Sequence, residues 1–126
     1  MNEIYIHDSL SNQKKKFEPI DSNNIRMYAC GPTVYNYAHI GNARMAIVFD
    51  TFARLLRSKY PNVTYVSNIT DIDDKIIEAA NELNVPINEL TSKYTDIYNQ
   101  VMSNLNVLPP DIQPKATEYV EDMIKF

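Results

Sequence analysis

The sequence predicts an α/β fold with a parallel sheet followed by helices, and three observations carry that prediction. Ile25-Arg-Met-Tyr-Ala-Cys30 is short, largely apolar and closed by Gly31-Pro32, as a buried strand ended by breakers would be. From about His39 to Lys59 the apolar residues Met45, Val48, Phe49, Phe52, Leu55 and Leu56 recur at helical spacing, with Asp50, Arg54 and Arg57 on the other side. Val63-Thr-Tyr-Val-Ser67 is β-branched and aromatic, hence a second strand. Strand, helix and strand of this length make a βαβ unit, whose two strands run parallel and finish at the same sheet edge.

The remaining elements follow in chain order. Glu3-Ile-Tyr-Ile-His7 alternates polar and apolar residues, as an edge strand does, and His7 is given no role. Ser9 to Lys16 reads as a turn and a solvated basic segment; its lysines suit RNA in principle, but such a run is more often an exposed face. Pro61 stops the long helix. After the second strand, Lys75 to Leu83 forms a helix that Asn84-Val-Pro86 ends. Pro86 to Asn104 carries a stripe of Leu90, Tyr94, Ile97, Tyr98 and Val101, which reads as core rather than as a base-stacking platform. Leu105 to Asp111 is a stiff, non-helical connector because of its paired prolines. Glu118 to Phe126 shows helical spacing at Val120, Met123 and Ile124 and has no stop signal, so a longer chain is expected.

Composition narrows the function classes. A chain of 126 residues is one domain or part of one, and its 44% apolar and 22% charged content is ordinary for a globular protein. A net charge of −4 gives no sign of general nucleic-acid affinity. No long apolar run or signal peptide is visible from Met1 onward, so neither membrane insertion nor secretion is expected. The single cysteine excludes an internal disulfide and suits the cytoplasm.

The chemistry concentrates between Cys30 and Asn42. His39 and Asn42, three residues apart, project from the same side of the first turn of the long helix. Free backbone N–H groups and the partial positive charge of that helix end favour an anion, above all a phosphate. Gly41 lets a flat ligand approach the backbone. The same residues also suit plain helix capping, and spacing leaves the two readings open. Asp71, Asp73 and Asp74 are close enough to hold magnesium, but the helix that follows favours capping by Thr70 or Asp71. Taken alone, Cys30 reads as a buried structural thiol.

These residues also carry a resemblance. His39-Ile-Gly-Asn42 resembles the HIGH signature of class I aminoacyl-tRNA synthetases. Together with Cys30-Gly-Pro-Thr-Val-Tyr35 and Asn68-Ile-Thr-Asp-Ile-Asp-Asp-Lys75, in this order and spacing, it is similar to the cysteinyl-tRNA synthetase family in particular. The resemblance implies the amino-terminal half of a Rossmann-like (HUP-type) nucleotide-binding fold over residues 1–84, with a helical extension over 85–126. It implies ATP-dependent activation of L-cysteine to cysteinyl-adenylate and transfer to tRNA(Cys) by a cytoplasmic, monomeric enzyme, with ATP entering as its magnesium complex.

Carried over, His39, Gly41 and Asn42 bind ATP, with His39 and Asn42 acting in catalysis; Cys30, Gly31 and Thr70 bind the substrate cysteine; and Cys30 is one ligand of a zinc ion that also binds the substrate thiolate. Zinc holds a deprotonated sulfur far better than a hydroxyl, which would give selectivity against serine. Asn42 stands at the second histidine position of the signature and can donate a hydrogen bond but brings no charge. The other zinc ligands, the KMSKS loop and an anticodon-binding domain are not in this sequence, so the chain alone is expected to be nearly inactive. Two other readings share the motifs: a cysteine ligase with an amino-sugar acceptor, and a non-catalytic nucleotide-binding module derived from a synthetase. Keeping Cys30 together with His39, Gly41 and Thr70 weighs against the latter.

Overall fold

A computed structural model describes residues 3–126; Met1 and Asn2, where the expected lack of a signal peptide begins, lie outside the described residues. Strands β1 (Tyr5–Asp8) and β2 (Gln13–Lys16) form an antiparallel hairpin. The lysine run is exposed along its whole length, as a solvated basic segment would be, and it forms a strand as well. Its lysines find partners along the hairpin: Lys15 pairs with Asp8 at 2.6 Å, Lys16 with Glu3, and Lys14 lies over the Tyr5 ring. Asn12 turns the hairpin with φ 54°, a left-handed conformation that asparagine tolerates. Phe17, just beyond, packs edge-on against Phe52 and Tyr60 and so ties the hairpin to the body of the chain.

The centre is the expected βαβ unit. Strand β3 (Ile25–Ala29) leads to helix α1 (Ile40–Arg57), and strand β4 (Val63–Ser67) returns parallel to β3 with Ile25 opposite Val63 and Ala29 opposite Ser67. The buried face of α1 differs from the one that large apolar residues marked. Ala43, Ala46, Asp50, Ala53 and Leu56 face inward, while Val48 and Leu55 are exposed. Small side chains let the helix lie close to its neighbours, and periodicity judged on bulky residues misses them. Asp50 tolerates burial because Arg54 donates to it from Nε at 2.9 Å.

Helices α2 (Asp74–Leu83) and α3 (Ile87–Asn104) follow, separated by Asn84 in the left-handed conformation. Leu90, Tyr94, Tyr98 and Met102 of α3 join Val34, Ile69, Ile76 and Ala80 in the main core, and Ile97 and Val101 pack against it. The tyrosine stripe is thus core, as its spacing indicated.

The connector after α3 does more than the prolines suggested. It runs parallel to β4 on the side away from β3: Asp111 N–H donates to the Tyr65 carbonyl at 2.8 Å, Ser67 N–H to Ile112 at 3.1 Å and Ile69 N–H to Pro114 at 2.8 Å. Arg57 holds Asp111 at 2.7 Å, and the same carboxylate accepts the Tyr65 N–H at 2.6 Å. Proline at 109, 110 and 114 keeps this a broken ladder. A short 3-10 helix (Ala116–Tyr119) and α4 (Val120–Lys125) end the described chain, with Met123 and Ile124 exposed. No helix among the described residues is long and apolar enough to cross a membrane.

Candidate active site

Cys30 follows the last residue of β3 and is an exposed, free thiol, not the buried structural one that its type alone suggested. The chain turns at Gly31 under close control from β4. The Asn68 side-chain oxygen accepts the Gly31 N–H at 2.9 Å and the Tyr28 hydroxyl at 2.8 Å, while its amide donates to Thr70 Oγ1 at 3.1 Å. Thr70 N–H donates to the Pro32 carbonyl at 2.9 Å, and Val34 N–H to the Thr70 carbonyl at 3.2 Å, which carries the parallel pairing past the strand ends. A Cβ on Gly31 would stand 1.4 Å from the Asn68 carbonyl oxygen, so no other residue fits. Cys30, Gly31 and Thr70 are therefore neighbours at one sheet edge. Asn68 is the hub that joins Gly31 and Thr70, a role the sequence reading did not give it although it opens one of the three motifs.

At the start of α1, His39 and Asn42 form a reciprocal capping box. His39 Nδ1 accepts the Gly41 N–H and Asn42 Oδ1 accepts the His39 N–H, each at 3.0 Å. The capping reading is correct as geometry, and it sharpens the phosphate reading. Because Nδ1 is an acceptor, the neutral ring carries its proton on Nε2; because Oδ1 is used, Asn42 keeps its NH₂ for a ligand. The caps consume acceptors and leave donors. Gly41 has a second reason to lack a side chain: a Cβ there would lie 2.7 Å from Cε1 of the His39 ring.

A cleft of about 400 Å³ opens beside this turn, walled by Pro32, Thr33, Tyr35, His39 and Asn42 with Tyr94 of α3 also lining it. It brings the His39 and Asn42 donors together with the loop that follows Cys30. Cys30, Gly31 and Thr70 do not line it; they adjoin it through Pro32 and through the Thr33–Thr70 pairing.

The three aspartates diverge. Asp73 caps α2 by accepting the Lys75 N–H at 2.9 Å, a task expected of Thr70 or Asp71. Asp71 is buried and instead accepts the Thr117 N–H at 3.0 Å and hydroxyl at 2.6 Å. Among the described residues no group of three histidine, cysteine or acidic side chains is placed to hold a metal. One exposed cysteine does not fit zinc by itself, which takes three or four protein ligands.

Comparison with known proteins gives the family of the chain. A family model described as the tRNA synthetases class I (C) catalytic domain matches residues 16–126. The cysteine--tRNA ligase of Parvibaculum lavamentivorans is 54% identical over 98% of this chain and 26% of its own length. Those of Dichelobacter nodosus (52% over 98% of this chain and 27% of its own length) and Rhodospirillum rubrum (50%, 96% and 26%) are similar to a like degree. The chain spans about a quarter of the length of the curated relatives it matches. With a βαβ core, a helix-start donor pair and a match over nearly all its length, the chain belongs to the class I (C) tRNA synthetase catalytic-domain family, whose architecture is Rossmann-like.

Proposed function

We propose that the protein carrying this chain is a cytoplasmic, monomeric ligase that activates L-cysteine with ATP and transfers it to tRNA(Cys). Residues 1–84 would form the first half of its Rossmann-like catalytic domain and 85–126 a helical extension. The observation that carries the reading is the capping box at the start of α1, which turns both its side-chain donors free beside a cleft next to the sulfur-bearing strand tip.

In this reading a cysteine carboxylate oxygen attacks the α-phosphorus of ATP. The bond from that phosphorus to the bridging oxygen breaks, and pyrophosphate leaves with the electron pair. The His39 Nε2–H and the Asn42 NH₂ donate to phosphate oxygens as charge shifts toward the leaving group, and Gly41 keeps the backbone open for the nucleotide. No protein nucleophile is needed, because positioning and fixed donors supply the catalysis. Thr70 retains a hydroxyl hydrogen for the substrate, since Asn68 uses only its oxygen. Cys30 would supply one ligand to a zinc ion that needs further ligands from outside this chain; when bound, zinc would supply selective recognition of a thiolate.

Cysteine-dependent exchange between ATP and labelled pyrophosphate tests the reading. The full-length protein is expected to exchange with cysteine and far less with serine, and the 126-residue chain alone to exchange at a small fraction of that rate. Equal exchange with serine would defeat the zinc assignment. Charging of an amino-sugar in place of tRNA would correct the acceptor.

A further inference from the structure

The third motif ends in Lys75, and neither the strand tip nor the capping box gives it work. It is the only lysine or arginine lining the His39–Asn42 cleft among the described residues. It is the second residue of α2, where the partial positive charge of the helix start opposes a cation. Its ammonium lies 5.7 Å from the centre of the Tyr35 ring, on the wall of that cleft. Lys75 also lines the adjoining groove together with Glu78 and Glu82, yet among the described residues no ion pair joins it to either. A cation in an unfavourable place, steered by an aromatic face and left without a carboxylate, is available to an anionic ligand.

His39 and Asn42 are neutral donors, so they direct phosphate oxygens but supply no full charge. The leaving pyrophosphate gains negative charge as its bond to the α-phosphorus breaks. We propose that Lys75 binds the β- and γ-phosphates of ATP and stabilises the departing pyrophosphate, completing on the α2 side of the cleft what His39 and Asn42 begin on the α1 side. This rests on the reading of the protein as a cysteine-activating enzyme. Tyr35 then acts as a positioning residue, since it holds the ammonium over the cleft without touching the nucleotide through a charge of its own.

The test is pyrophosphate exchange by the full-length protein with Lys75→Ala, Lys75→Gln and Lys75→Arg, varying pyrophosphate and cysteine separately, with tRNA charging measured alongside. Loss of one charged hydrogen bond to the transition state should slow exchange about 10- to 100-fold in the alanine and glutamine variants. The half-saturating pyrophosphate concentration should rise, that of cysteine should stay put, and arginine should restore most of the rate. Glutamine keeps a stem over Tyr35, so its loss separates charge from packing and guards against an alanine variant that fails to fold. Exchange equal to wild type in K75Q would overturn the proposal, as would an effect confined to the tRNA concentration dependence, which would make Lys75 an RNA contact. A wild-type protein with no cysteine-dependent exchange would overturn the functional reading and this inference together, whereas normal wild-type exchange beside unaffected variants would overturn the inference alone.

Discussion

The tip of β3 and the start of α1 lie a few residues apart in the chain but are built in opposite ways. Gly31 is held by Asn68, 37 residues later, and Tyr28 by the same side chain, 40 residues later. The side-chain bonds of His39 and Asn42 run to one another and to Gly41, within three residues. The strand tip exists only once β3 and β4 have paired in the correct register; the helix start assembles with its own first turn. One site can therefore be damaged from a distance and the other cannot, which separates the two halves of the proposed substrate pocket experimentally.

The largest effect is expected from Gly31→Ala. A methyl group 1.4 Å from a carbonyl oxygen forces the two strand ends apart, and a cost of about 3 kcal/mol or more should appear in urea or thermal unfolding. Were that variant as stable as wild type, the close approach of strand tip and β4 would be wrong. Asn68→Ala removes three hydrogen bonds at once and should cost about 2–3 kcal/mol. In the full-length protein it should raise KM for cysteine while leaving KM for ATP nearly unchanged. A matched rise in both would mean that the two regions are coupled more tightly than their contacts indicate.

At the helix start, two substitutions at one position sharpen the contrast. His39→Ala loses the cap and should destabilise by about 1 kcal/mol. His39→Asn keeps a good cap and should recover that stability. Neither restores a donor where Nε2–H stood, so pyrophosphate exchange should remain depressed in both by about 100-fold. Recovery of activity along with stability would reduce His39 to a helix cap.

The smallest effect concerns pH. Burial raises the Tyr65 hydroxyl above its ordinary pKa of 10.0, and Tyr65 packs beneath the strand tip with Ala29 and Ala53. The folded state holds that proton more tightly than the unfolded chain. Its contribution is complete below pH 10 and is lost as the pH rises beyond it. Amide exchange at β3 and β4 should therefore accelerate above pH 10 before that of the first turn of α1 does.

The same division governs what could be read from the sequence. Local features were legible: β3 from its breakers, α1 and α3 from their spacing, the α2 stop from Asn84-Val-Pro86. Beyond the parallel pairing of β3 and β4, features that depend on distant partners were not. The lysines of β2 have little preference for a strand, yet they pair along β1, where Lys15 and Lys16 reach the carboxylates of Asp8 and Glu3. The pairing of residues 111–116 with β4 hides behind three prolines. The inward face of α1 is three alanines with Asp50 and Leu56, and the alanines weigh little beside Val48 and Leu55. In the site, the capping pair was visible from a spacing of three, whereas nothing about Asn68 as a residue type announces that it holds a turn 37 positions earlier.

The box at the head of α1 has an evolutionary corollary. Aspartate is among the best residues for starting a helix, and a chain drifting toward greater thermal stability would be drawn to it at position 39. There it would face any incoming nucleotide with like charge. On the proposed function, helix capping and nucleotide binding thus make different demands on position 39, and histidine meets both, capping through Nδ1 while its other ring nitrogen faces outward for a ligand.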